Sequence, residues 1–130
     1  MLERVLSSKV EYAYAILRIV AGLFFALHGA QKLFHWWLPP GEMAPQMYIG
    51  GVIELVCGLM IALGFATAYA AFLASGTMAV AYIQFHWKFA FDKNFLPYNN
   101  DGEEALLYAF VWLFIACKGA GIWSVDGKRG

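Results

Sequence analysis

The sequence predicts an all-α membrane protein, an antiparallel bundle of four transmembrane helices with both termini on the cytoplasmic side. Three observations predict it. The chain holds four apolar segments of about 20 residues, the length a helix needs to cross a bilayer. Its 130 residues are 62% hydrophobic and 14% charged, whereas a soluble domain is about half apolar and a quarter charged. The apolar residues recur with a helical period, and no ten-residue alternating strands suggest a barrel. Short loops between long helices make neighbours antiparallel, so residues 1–130 read as a single transmembrane four-helix domain.

Residues 1–11 are a charged leader with Glu3, Arg4, Lys9 and Glu11. The first helix is expected at about 12–34, roughly 34 Å at 1.5 Å per residue. It ends at His35-Trp36-Trp37, an interfacial aromatic anchor, and Pro39-Pro40-Gly41 stops it. Residues 41–47 form an exposed connector, and Pro45 suits the first turn of the second helix, at about 47–63. Gly64 is the expected C-terminal cap of that helix and Thr67 the expected N-cap of the third, at about 68–89. Residues 90–102 are the longest loop. The fourth helix is expected at about 103–123, with Asp101 and Glu104 spaced as a capping box, and the tail from Ser124 to Gly130 is polar and basic.

Four crossings put both termini on one side. That side carries Arg4, Lys9, Lys128 and Arg129, with Arg18 and Lys118 nearby, against Lys32, Lys88 and Lys93 opposite, a bias that places the termini in the cytoplasm. The net charge is zero, so nothing suggests a nucleic-acid partner. Cys57 and Cys117 form no CxxC or metal-knuckle pair and are expected as buried free thiols. The first apolar run is longer than a signal-peptide core, holds Arg18 and His28, and shows no clear cleavage site.

The functional signal is the depth at which ionisable residues fall. Glu54 lies in an apolar run, where a carboxylate costs about 2.5–3.5 kcal/mol at the centre of a membrane helix. Gly50, Gly58 and Ala62 are read as sharing its face, a small-residue stripe where another helix can come close. With the helices side by side, His28 and Lys32 of the first, Glu54 of the second, Tyr82 and His86 of the third, and Glu104 and Tyr108 of the fourth all reach one outer-leaflet layer. On a helical wheel His28 and Lys32 are about 40° apart, with Arg18, Gly22 and Phe25 near the same stripe. Ser75, Ala79, Tyr82 and His86 form one stripe of the third helix, and Glu104, Tyr108, Val111, Ile115 and Lys118 one stripe of the fourth. Arg18 and Lys118 lie on the cytoplasmic side, as interfacial anchors or a second polar site.

Each of these residues has a structural reading too. Glu54 and Lys32 can form a buried ion pair that only holds helices together, or Lys32 can snorkel to the interface. His28 and His86 can be hydrogen-bonded interior histidines, and Glu104 a cap residue.

The residues then match a known pattern. Arg18-x-x-x-Gly22-x-x-x-x-x-His28-Gly29-x-x-Lys32-Leu33-Phe34 resembles the DoxX-like membrane proteins, as do Gly51-x-x-Glu54-x-x-x-Gly58-x-x-x-x-x-Gly64 and Asn100-Asp101-Gly102-Glu103-Glu104-x-x-Leu107-Tyr108. The close Gly119-Ala120-Gly121-x-Trp123-Ser124-Val125-Asp126 is similar to the family's Gly-Pro-Gly…Ser-Leu-Asp ending, with Ala120 for Pro and Val125 for Leu. The Asp101-Gly102-Glu103-Glu104 opening departs from a Gly-Gly-Glu type, which leaves Glu103 and Glu104 as rivals for the inward role; the stripe shared with Tyr108 favours Glu104. The resemblance spans roughly residues 12–126. It implies a four-helix, multi-pass protein of the bacterial inner membrane, associated with respiratory and sulfur redox chemistry.

Two functional readings follow. In the first, the chain is a redox-associated membrane subunit whose cluster binds a quinone headgroup or a small polar ligand; a histidine and a carboxylate can exchange protons with a quinone. Any covalent or redox cofactor would sit on a partner, because the chain has no flavin, nucleotide or CxxC motif, and it is not expected to be an enzyme alone. In the second, it is a non-catalytic structural or assembly subunit of a larger membrane complex, or a homo-oligomer. A metal or haem held by His28, Glu54, His86 and Glu104 is not expected, since the Glu-x-x-His repeats of di-iron bundles are missing. Transport is disfavoured by the lack of an internal repeat or broken helix.

Overall fold

The computed structural model describes residues 1–36 and 44–129, and its described residues are helical or irregular with no strand. A short helix α1 (Leu2–Ser7) precedes α2 (Val10–Phe34), which ends on His35 in the left-handed conformation. Next come α3 (Pro45–Leu63) and α4 (Thr67–Ala81), whose last turns, Tyr82–Trp87, widen into a π-helix. A single 3₁₀ turn (Lys93–Phe95) interrupts the following loop before α5 (Glu103–Lys118) and a terminal α6 (Val125–Arg129). Among the described residues three helices, Val10–Phe34, Pro45–Leu63 and Thr67–Trp87, are long and apolar enough to cross a membrane. The Pro39-Pro40-Gly41 stop, Trp37 and residues 41–43 of the expected connector lie outside the described residues.

The helices pair as antiparallel neighbours, α2 against α3 and α4 against α5, with α3 bordering α4. Glycine decides the first pairing. A Cβ added to Gly22 would lie 2.7 Å from the Ala62 nitrogen, and one added to Gly58 2.5 Å from the Ala26 nitrogen, so the two backbones touch. Gly29 and Gly51 repeat the contact seven residues along. This corrects the expected stripe: Gly51 is buried beside α2, while a Cβ on Gly50 would meet nothing. The reason is angular. Gly51, Gly58 and Ala62 lie about 40–80° to one side of Glu54, and Gly50 about 40° to the other.

The packing is small inside and large outside. Ala15, Ala26, Ala30, Ala71 and Ala74 are buried with Phe25, Ile61 and Trp112, while Leu23, Phe24, Val52, Val56, Phe72 and Phe110 are exposed. Buried polar side chains sit behind that apolar exterior: Arg18, Glu54, Thr67 and Ser124. Water is a poor surrounding for such a surface and hydrocarbon a good one.

Several boundaries differ from expectation. α5 stops at Lys118 rather than near Trp123, because Gly119 (φ 88°) and Gly121 (φ 71°) turn the chain out of the helix. Thr67 is the first helical residue of α4, not its cap; Ala66 holds the cap position in the left-handed region. The Asp101–Glu104 capping box does not form, since Gly102 precedes the helix and Asn100 Oδ1 accepts its N–H at 2.9 Å. Cys57 is buried and free as expected, but Cys117 is exposed.

Candidate functional site

The site is built from the residues that face one another where α2, α3, α4 and α5 converge. Glu54 is 3% exposed, and its Oε1 accepts from Lys32 Nζ at 2.7 Å, joining α3 to α2. Its Oε2 is buried without a hydrogen-bond partner among the described residues. A carboxylate in low dielectric gains strongly from each donor it finds, so a half-satisfied one is primed for another.

On the other flank His28 Nε2 lies 3.3 Å from Glu104 Oε1, linking α2 to α5. Both side chains are substantially exposed, so this pair is looser than Lys32–Glu54. The His28 ring meets the Tyr108 ring edge-on at 6.0 Å, and Tyr108 stacks on Trp112 at 5.4 Å. Trp112 is fully buried against Phe25, and its indole N–H has no acceptor among the described residues.

The third flank is the π-helical end of α4. There Lys88 N donates to Ile83 O at 2.8 Å, a bond spanning five residues. Tyr82 is buried on the face of Ala71, Ala74 and Met78, while Ala79 of the expected stripe, turned to the other side of that face, is exposed. His86 Nδ1 donates to Asn100 O at 3.1 Å, which leaves Nε2 as the acceptor of the neutral ring. Asn100 Nδ2 in turn donates to the Tyr82 hydroxyl at 3.2 Å, and the two rings stack.

A cavity of about 1270 Å³ opens between these walls. His28, Lys32, Glu54, His86, Glu104 and Tyr108 line its polar end, and Ile53, Phe72, Leu73 and Val80 belong to its apolar remainder. Of the seven residues named from the sequence, Tyr82 alone stands behind the wall. The arrangement offers donors (the Lys32 ammonium, the Tyr108 hydroxyl) and acceptors (Glu54 Oε2, His86 Nε2) around one space joined to an apolar groove. No group of three or more His, Cys, Asp or Glu among the described residues is placed to hold a metal ion.

The second polar site takes a different form. Arg18 is fully buried. Its Nε donates to Ile61 O (3.0 Å), Nη1 to Ile122 O (3.0 Å) and to Ala120 O, and Nη2 to Trp123 O (2.6 Å). One guanidinium thus ties the end of α3 to the loop after α5. Lys118 is not part of it; exposed, it pairs with Glu11 at 3.1 Å and lies over the Tyr14 ring. Asn100, Trp112 and Asp126 escaped the sequence reading as contact-making residues. Asn100 had a signal in its Asn-Asp-Gly run, whereas Trp112 reads as one apolar residue among many.

Two comparisons give matches. The DoxX family model matches residues 13–87. A protein of Haemophilus influenzae described as uncharacterized is 39% identical over 123 residues, covering 90% of each chain. No solved structure matches.

Proposed function

The chain belongs to the DoxX family, and from that premise and the geometry of the cluster we propose that it is a small integral membrane subunit associated with respiratory or sulfur redox chemistry, whose outer-leaflet cluster binds a quinone headgroup or a similarly small polar ligand. In this reading the chain is a multi-pass protein of the bacterial inner membrane. α5, roughly 24 Å long at 16 residues, completes a four-helix bundle with both termini in the cytoplasm. Redox cofactors belong to partner subunits.

The observation that carries the reading is Glu54: a buried carboxylate, satisfied on one oxygen only among the described residues, in the wall of a cavity that also runs between apolar side chains. A ring with polar oxygens and an apolar tail suits both parts. Lys32 and Tyr108 would orient acceptor oxygens, while Glu54 and His86 would take hydrogen bonds or protons from hydroxyls. A second reading is favoured by the Lys32–Glu54 bond itself, which joins two helices and serves equally in a purely structural or assembly subunit.

The test is to purify the chain and its Glu54→Gln variant from native membranes in mild detergent and extract quinones from both. Stoichiometric quinone lost in the variant, with the protein still monodisperse, is the expected result. Quinone absent from both samples, with a larger enzyme co-purifying in fixed ratio, would replace the first reading by the second.

A further inference from the structure

The loop after α4 has a construction that neither the cluster nor the helix packing uses. Trp87 ends the third apolar helix, and the next two residues, Lys88 (φ 55°) and Phe89 (φ 58°), turn the chain sharply through the left-handed region. The turn is held by rings. Trp87 packs on Phe89 at 5.1 Å, Phe91 at 5.7 Å and Phe95 at 6.2 Å, and its Nε1–H donates to Ala90 O at 2.7 Å. The polar side chains are directed at the loop's own backbone: Asp92 Oδ1 accepts from Asn94 N, Asn99 Nδ2 donates to Lys93 O, and Asn100 Nδ2 donates to Asn94 O. The aromatics are left outward, with Phe91 81% and Tyr98 67% exposed.

An ordered loop with its backbone partly satisfied from within, an aromatic exterior and lysines at Lys88 and Lys93 suits one surrounding better than water or a protein core. That surrounding is the headgroup layer of a bilayer, where aromatic rings settle and ammonium groups meet phosphates. The exposed apolar residues of α4, ending in Phe85, continue along the chain into Phe89 and Phe91, so the patch extends a face already suited to lipid. A helix that crosses the membrane also leaves its last residue at that depth.

We propose that residues 87–98 form a lipid-docking loop, seated in the bilayer interface at the Trp87 end of α4, with Phe91 and Phe95 inserted among the acyl chains and Lys88 and Lys93 at the phosphates. The loop then sets the depth of the cluster, because Asn100, two residues past it, holds both His86 and Tyr82.

The experiment uses the full chain with Cys117→Ala, in which buried Cys57 escapes labelling. A nitroxide is attached in turn at Phe91→Cys, Phe95→Cys and, as the aqueous control, Asn94→Cys. The sites are exposed, and a single replacement at 91 or 95 leaves Trp87 its other two ring partners and its bond to Ala90 O. The protein is reconstituted in vesicles of phosphatidylcholine and phosphatidylglycerol, and collision rates with oxygen and a water-soluble nickel chelate are read by electron paramagnetic resonance. The expected result is that labels at 91 and 95 favour oxygen, at a depth of roughly 5–10 Å below the interface, while the label at 94 favours nickel. Labels at 91 and 95 that favour nickel as strongly as at 94 would overturn the proposal by placing the loop in water. Shielding from both reagents would overturn it too, by placing protein over the patch.

Discussion

Asp126 closes the start of α4 from 59 positions away in the sequence: its Oδ2 accepts both the backbone N–H of Thr67 (2.9 Å) and its hydroxyl (3.0 Å). Oδ1 takes the N–H of Ala66 at 3.0 Å, so one carboxylate serves as an N-cap contributed by another element. Asp126→Ala is expected to cost about 1–2 kcal/mol, the upper part of the range for caps, because two backbone donors and a buried hydroxyl lose their acceptor. Thermal unfolding in detergent measures it, and an unchanged midpoint would show that the cap contributes nothing.

Arg18 should be less replaceable than Asp126. Its planar group reaches four carbonyls from two elements, which an ammonium on a shorter fork does not match. Arg18→Lys is therefore expected to lose nearly as much stability as Arg18→Met, with the loss in each case at about 3 kcal/mol or more. Protease cleavage in the 119–124 segment gives the local readout. Full protection of that segment in Arg18→Lys would contradict the argument.

Two glycines of α3, one in the seam with α2 and one outside it, give opposite expectations. Gly58→Ala places a methyl against the Ala26 backbone and should destabilise by about 1–3 kcal/mol through overpacking. Gly50→Ala meets open space and should stabilise by up to about 1 kcal/mol through helix propensity. Equal melting temperatures for the two variants would mean that the backbones do not touch.

The fold was legible where composition and period speak together. The first three long helices fall within about two residues of their expected bounds because apolar period, Pro45 and Gly64 mark them. The fourth ends early at Gly119 and Gly121, and the segment beyond is held by Arg18 through long-range bonds to the 120–123 carbonyls that a local pattern does not carry. Depth matching brought His28, Lys32, Glu54 and Glu104 together on the page, for charges in apolar helices find one another. It assigned no contact to Asn100 or Asp126, which entered only as members of family motifs, because both act through backbone groups whose positions only the fold supplies.

Lys32 and Glu54 should respond unequally. Lys32→Met strands a carboxylate that is 3% exposed and is expected to cost about 3–5 kcal/mol, the range for breaking a buried pair. Glu54→Gln leaves a lysine whose side chain is 28% exposed and can extend toward the interface, so the loss should be smaller. The double variant Lys32→Met with Glu54→Gln should recover much of the single Lys32 loss. A double-mutant cycle reads the coupling, and strict additivity would mean that the pair contributes none.

Glu104 separates binding from stability. Its partner His28 lies 3.3 Å away, and the two side chains are 41% and 65% exposed, so their attraction is screened and worth at most about 1 kcal/mol. Glu104→Gln keeps the shape of the side chain and is expected to leave the unfolding midpoint almost unchanged. Under the ligand-binding reading the same variant alters the polar end of the cavity and should weaken quinone retention several-fold, because a charge-assisted hydrogen bond is replaced by a neutral one. Extracted quinone per protein, measured beside the melting curve, decides it. Retention equal to that of the unsubstituted chain would remove Glu104 from the ligand's contacts, and a matching fall in both quantities would make it a structural residue instead.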